Sequence, residues 1–186
     1  RAALAAEACG AAPGSLRRLL AGEGQTRRAR TDDGWRWHGD FPLSMAAQTA
    51  LGVGLAEAWI ARHGPPMVLA GESMGDLAAF AVGGALPLEA AVQLAYRWAR
   101  DLQAASDRFG LRMAVVEDLA RADVTTLPAY LEAHVVVGEA ERLAVVALPS
   151  SRLDDLDREE AARGGHVLVS NNACAAHDPR LATERD

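Results

Sequence analysis

The chain has 186 residues, half of them apolar, and a formal net charge of −6 at neutral pH. That length fits one domain, or one domain carrying a small inserted lobe, and the apolar half is enough for a sizeable core. The acidic balance argues against nucleic acid as the main partner, and no apolar run approaches the ~20 residues of a membrane span. The first residues, "RAALAAEACGAAPGS", carry too weak an apolar run for a secretory signal. Two cysteines, Cys9 and Cys174, make no disulfide framework, so a reducing, cytoplasmic location is expected.

In chain order, residues 1–22 read as two short helices parted by Pro13-Gly14. The polar stretch 22–42, rich in Gly, Arg and Asp, reads as a loop. From Ser44, apolar residues at helical spacing predict a helix that stops at Gly64-Pro65-Pro66. "MVLAG" (67–71) predicts a short strand and "MGDLAAFAVGG" (74–84) a helix, and a further helix follows Pro87. Beyond Gly110 the pattern changes. "LRMAVVE" (111–117) reads as a strand, "VTTLPAYLEA" (124–133) as a helix, and "HVVVGEA" (134–140) and "RLAVVALP" (142–149) as two strands. "SSRLDDLDREEAARGG" (150–165) reads as an acidic helix with a Ser cap and a Gly stop, and "HVLVSNNA" (166–173) as a last strand. This β-α-β-β-α-β order is that of a ferredoxin-like lobe.

The junction Gly71-Glu72-Ser73-Met74-Gly75 places a serine between two glycines where a strand is predicted to turn into a helix. A nucleophile on such a bend needs small neighbours, because the backbone is pinched and Oγ must project. The helix after it aims amide N–H groups at the oxygen of an acyl intermediate, and the Met74 N–H is the first candidate oxyanion donor. A tight structural turn is the competing reading of G-x-S-x-G. Of five histidines, His38 and His63 fall in a loop and at a helix end, and His134 and His166 begin strands. His177 follows the last strand in "NNACAAHDPRL", and a strand-end loop is a usual mounting for a general base.

"GESMGDLAAFAVGGALPLEAAVQL", followed by the ferredoxin-like pattern and "AAHDP", resembles the malonyl-CoA:acyl carrier protein transacylase family. That family includes the acyltransferase domains of polyketide synthases. Its G-H-S-x-G-E serine motif and its H-S-P histidine segment correspond here to Ser73 and to His177, 104 residues downstream, over a resemblance covering roughly residues 15–181. It implies an α/β-hydrolase-like large subdomain, a parallel sheet with flanking helices, over 1–109 and 175–186, and a ferredoxin-like small subdomain over 110–174. The family's N-terminal G-Q-G strand and its C-terminal segment have no counterpart in the sequence.

The resemblance also implies a Ser73–His177 dyad, an acyl-serine intermediate, and transfer of the acyl group to the pantetheine thiol of an acyl carrier protein. No metal and no permanently bound cofactor is implied; acyl-CoA or a phosphopantetheine thioester is the substrate.

Three departures bear on that substrate. Family members place an Arg about 25 residues after the serine, against the free carboxylate of malonyl groups, and here that position is Trp98. Arg97 serves instead if the alignment shifts by one residue. Glu72 replaces the family histidine beside the nucleophile, and a carboxylate ~4 Å from malonyl would cost roughly 1 kcal/mol in water or ~4 at an effective dielectric of 20. The tetrapeptide "CAAH" puts small residues, Cys174 and Ala176, where the family has bulkier ones that sort extender units. Together these favour an uncharged, starter-type acyl group. The alternatives are an editing thioester hydrolase of the same fold, a carboxylesterase-type serine hydrolase, and a degenerate domain that only scaffolds a synthase. Arg17, Arg18, Arg27, Arg28 and Arg30 form the densest basic cluster, either a solvated face or a steering patch for an acidic carrier.

Overall fold

The computed structural model describes residues 1–20, 29–31, 34–36, 41–118, 126–140, 142–169 and 174–181. The chain packs as two compact units, residues 1–25 with 39–101, and residues 26–38 with 102–186.

The described residues of the first unit are helices and turns. Helix α1 (Ala2–Glu7) and helix α2 (Ser15–Leu20) are joined through Pro13-Gly14, where the Gly14 N–H donates to Glu7 Oε1 at 2.7 Å. Helix α3 (Phe41–His63) buries Leu43, Ala46, Ala47 and Val53 at helical spacing and ends at Gly64, whose φ of +84° is the left-handed stop that a glycine allows. Helix α4 (Gly75–Val82) follows the serine turn, and helix α5 (Leu88–Arg108) starts one residue after Pro87. Leu16, Leu43, Ala46, Val92 and Tyr96 form one core shared by these helices, and Leu77 with Ala91 and Ala95 forms a smaller one between α4 and α5. At Gly52 an added Cβ would sit 3.2 Å from Ala78 Cβ, so α3 and α4 approach closely.

The expected parallel sheet is not formed among the described residues of this unit. Met67–Gly71 lies outside any ladder, with Met67 fully exposed and Val68 77% exposed. A strand exists only where a neighbour takes its N–H and C=O groups, and the described residues supply none here.

In the second unit, strands β1 (Ala29–Thr31) and β2 (Gly34–Arg36) pair antiparallel, within a stretch expected to be all loop. Four longer strands follow: β3 (Leu111–Glu117), β4 (His134–Ala140), β5 (Leu143–Pro149) and β6 (His166–Val169). They form one sheet in the order β4-β5-β3-β6 with every neighbour antiparallel. Consecutive β3 and β4 are thus separated by β5, the split arrangement of a β-α-β-β-α-β lobe.

Its first crossover departs from expectation. Of the helix expected over 124–133, the described residues 126–133 hold a 3-10 turn, Ala129–Leu131, and residues 119–125 lie outside the described ones. Pro128 caps the turn and would clash inside a continuing helix, and Glu132 at φ +51° ends it. Helix α6 (Leu153–Ala162) follows a 3-10 turn over Ser150–Arg152. Its N-cap is Arg152 with no side-chain cap bond, so the expected serine cap is not made, while Gly164 at φ +80° lies just past its end.

Alternation along β3 and β5 gives the sheet two apolar faces. Ala114, Val116, Val146 and Leu148 pack under Leu131 and Leu156 on one side. On the other, Leu111 and Ala147 hold Ala175, with Met113 and Leu181 alongside, so this face carries the segment that contains His177. Among the described residues no helix is long and apolar enough to cross a membrane, and no group of His, Cys, Asp or Glu could hold a metal ion.

Candidate active site

The serine turn is built from close backbone approach. A Cβ added to Gly71 would lie 2.2 Å from the Gly75 carbonyl carbon and 2.3 Å from the Asp76 nitrogen, so only glycine fits. The Gly75 N–H donates to Glu72 O at 2.8 Å, and Asp76 and Leu77 N–H donate to Ser73 O and Met74 O at 3.2 Å. This tight winding forces Ser73 to φ +52°, a left-handed conformation that costs an L-residue ~1–2 kcal/mol. Met74 packs against the Leu77–Ala91–Ala95 core and pins the turn to α4 and α5, while Ser73 and Glu72 stay exposed. The hydroxyl is thereby presented outward at the first turn of a helix.

On α5, the buried face is Ala91, Val92, Ala95, Tyr96 and Ala99. Arg97 and Trp98 fall on the opposite arc; Arg97 is exposed and Trp98 is 53% exposed. Arg100, farther round, is engaged by Asp101 at 3.1 Å.

The remaining candidates belong to the second unit. His177 is exposed and has φ +68°, another left-handed non-glycine. Described non-glycine residues with positive φ number four, Ser73, Asp118, Glu132 and His177. Ser73 and His177, the two residues expected from the sequence to be catalytic, are among them, with Asp118 and Glu132, which are not site candidates. Ala176 is half-buried, whereas Cys174 is wholly buried. Burial pushes the Cys174 thiol up to about 11. Only the thiolate alkylates readily, so iodoacetamide at pH 8 should modify Cys9 in the folded chain and reach Cys174 only in denaturant. Peptide mapping that finds Cys174 alkylated as fast as Cys9 in the folded chain would contradict its burial. Of the basic cluster, Arg17 and Arg18 are exposed on α2, Arg30 lies on β1 in the second unit, and Arg27 and Arg28 fall outside the described residues.

Sequence reasoning passed over three residues beside His177. Ser106 is fully buried, and Asp178, 3% exposed, is bound by Arg180. Burial pushes the Asp178 carboxyl up, but the side-chain and backbone hydrogen bonds from Arg180 outweigh it and hold it below the usual aspartate range. The Asp178-Pro179 pair, a turn-initiating dipeptide, was the available signal.

An exposed serine at positive φ, on a glycine-flanked turn into a helix, matches the turn and helix of a nucleophile elbow, while the strand that leads into such an elbow is not formed among the described residues. No protein-family model matches the chain. It is 32% identical over 136 residues, 72% of its length, to erythronolide synthase EryA2 of Saccharopolyspora erythraea. It superposes on the acyltransferase domain of the polyketide synthase PpsC of Mycobacterium tuberculosis with a TM-score of 0.72 over 98% of the chain, at 21% identity. On the acyltransferase domain from module 8 of the salinomycin polyketide synthase the TM-score is 0.64 over 77% of the chain, at 26% identity. The chain thus shares the fold of polyketide synthase acyltransferase domains and of acyl-carrier-protein S-malonyltransferase, and over 72% of its length it is similar in sequence to a polyketide synthase. It spans 4% of the curated relative and 50% and 34% of the two solved chains.

Proposed function

We propose that the protein is an acyltransferase that carries an uncharged acyl group on Ser73, from a CoA or carrier thioester to the phosphopantetheine thiol of an acyl carrier protein. The observation that carries this reading is Ser73 itself, exposed at φ +52° at the head of α4 between two glycines, one of which tolerates no Cβ.

In the first half-reaction Ser73 Oγ attacks the thioester carbonyl and its proton passes to the His177 imidazole. The Met74 N–H, at the positive end of α4, donates to the oxyanion as it forms. The C–S bond then breaks and the departing thiolate takes the proton from His177, leaving an ester on Ser73. In the second half the carrier's thiol attacks that ester, its proton moves to His177, and Ser73 Oγ recovers it on leaving. Each half conserves charge and protons, so nothing beyond the two substrates is consumed. Trp98, in the position of the family's carboxylate-binding Arg, and Glu72, beside the nucleophile, favour acyl groups without a free carboxylate.

The test is intact-mass analysis of the protein after exposure to a panel of acyl-CoA and acyl-carrier thioesters, followed by addition of free carrier. A covalent adduct of acyl mass that discharges onto the carrier is expected. Discharge to water alone would make the protein a hydrolase, and no adduct with any thioester would leave a scaffolding domain. His177→Ala should slow adduct formation by ~10²-fold or more, the usual effect of losing a general base; an unchanged rate removes His177 from the mechanism.

A further inference from the structure

His177 occupies a backbone position that histidine does not hold by preference. The Asp178 N–H donates to Ala175 O at 3.0 Å, closing a β-turn whose third residue is His177 at φ +68°. A turn with left-handed geometry at that position ordinarily takes Gly or Asn, so an imidazole there relaxes away unless both flanks are fixed.

Both flanks are fixed, and by polar groups. On the near side the Ala175 N–H donates to Ser106 Oγ at 2.7 Å, and the same hydroxyl donates to Leu111 O at 3.0 Å. Ser106 and Ala175 are each fully buried, and Ala175 is wedged against Leu111 and Ala147 on the sheet. On the far side Asp178 Oδ1 accepts from Arg180 N at 2.8 Å and Arg180 Nε at 2.9 Å, and Oδ2 accepts from Arg180 Nη2 at 2.7 Å. An aspartate bonding the amide two residues on, across a proline, is an Asx turn, and the forked guanidinium locks its carboxylate. Leu181 N–H closes onto Asp178 O at 3.0 Å and the Leu181 side chain returns to the sheet. Among the described residues, His134 at the start of β4 and Glu132 in the turn before it are the other titratable groups acting on the pair.

We propose that Ser106 and the Asp178–Arg180 pair are positioning residues that hold His177 in its left-handed turn and so fix the imidazole for proton transfer. This rests on the reading of His177 as the base. Three bonds to one buried carboxylate, and a hydroxyl that both accepts and donates, meet at the two ends of a four-residue turn whose exposed tip is the histidine. Neither group touches substrate in this role; each acts through the backbone of residues 175–178.

The experiment is single-turnover acyl loading of the full chain, read by intact mass across thioester concentration and pH, for wild type, Asp178→Ala, Asp178→Asn, Arg180→Lys and His177→Ala. Asp178→Ala is expected to lower the maximal loading rate constant at least ten-fold while the half-saturating thioester concentration stays within two-fold. Asp178→Asn, whose Oδ1 still accepts from the Arg180 N–H, should keep at least a third of the rate. Should Asp178→Ala fail to fold, Arg180→Lys decides the matter: charge is kept but the fork is lost, and a rate at least three-fold lower is expected. A smaller fraction of loadable protein with an unchanged rate constant in that fraction means the pair only supports folding, and overturns the proposal. A wild-type rate and pH profile in folded Asp178→Ala, or in Arg180→Lys, overturns it while leaving His177 as base. A silent His177→Ala, or a wild type that loads no thioester, overturns the reading of the site and this proposal with it.

Discussion

Ser73→Ala is expected to take no acyl group from any thioester while unfolding at the same denaturant concentration as wild type. The hydroxyl lies on an exposed turn and contributes little packing, and alanine at φ +52° bears the same left-handed penalty as serine. Ser73→Gly separates the two effects further. It too should stay unloaded, yet it relieves the backbone and should gain about 1 kcal/mol of stability, the exchange of stability for function expected at a strained nucleophile. Gly71→Ala should fail on both counts although Ser73 remains. Its Cβ would enter within 2.3 Å of two backbone atoms at the start of α4, and these move only if the turn unwinds. A loss of about 3 kcal/mol in chemical denaturation is expected, with no adduct by intact mass. An adduct on Ser73→Ala would end the assignment of the nucleophile; full loading by Gly71→Ala would mean that the pinched turn is not what presents it.

The parts of this molecule legible in the sequence are those that local pattern decides. The apolar spacing of α5 and the alternation in β3 and β5 follow directly from burying one face against a neighbour. The strand expected over Met67–Gly71 shows the limit: its apolar residues mark a segment made for a sheet, but whether a strand forms depends on partners that no local window contains. The helix expected over 124–133 gave way to a 3-10 turn because Pro128 outweighs the apolar periodicity around it. The β1–β2 pair was hidden in a polar stretch, where "TDDGW" holds a turn signal without the alternation that announces flanking strands. At the site, glycines at 71 and 75 announced a turn, but the positive φ of Ser73 and His177 follows from how the chain closes on itself. Ser106, 71 residues before His177, was illegible for the same reason: its bond to the Ala175 N–H exists only once the sheet has brought the two segments together.

The selectivity expected of the site joins Glu72 to Trp98. Both project from the first unit, one from the exposed serine turn and one from the solvent arc of α5, and neither offers a cation. In the proposed alignment Trp98, 53% exposed, stands where the family's arginine would pair a malonyl carboxylate, and Glu72 adds a like charge beside the proposed nucleophile. An unpaired carboxylate entering such surroundings gives up water without a partner in return, a cost of several kcal/mol when the site is closed. A difference of about 2.8 kcal/mol corresponds to ~10²-fold, so wild type should load acetyl, propionyl or longer uncharged groups over malonyl by at least that factor. Trp98→Arg supplies the missing cation and should narrow the ratio by ~10-fold. Adding Glu72→His removes the like charge and should narrow it further. Trp98→Phe keeps an apolar ring without a charge and should leave the ratio within about two-fold, which separates charge from shape. The measurement is competition between equimolar malonyl and uncharged acyl thioesters, read as the ratio of adduct masses at short times. A wild type that loads malonyl best would show that another cation, Arg97 foremost, meets the carboxylate, and that Trp98 does not stand where the alignment puts it.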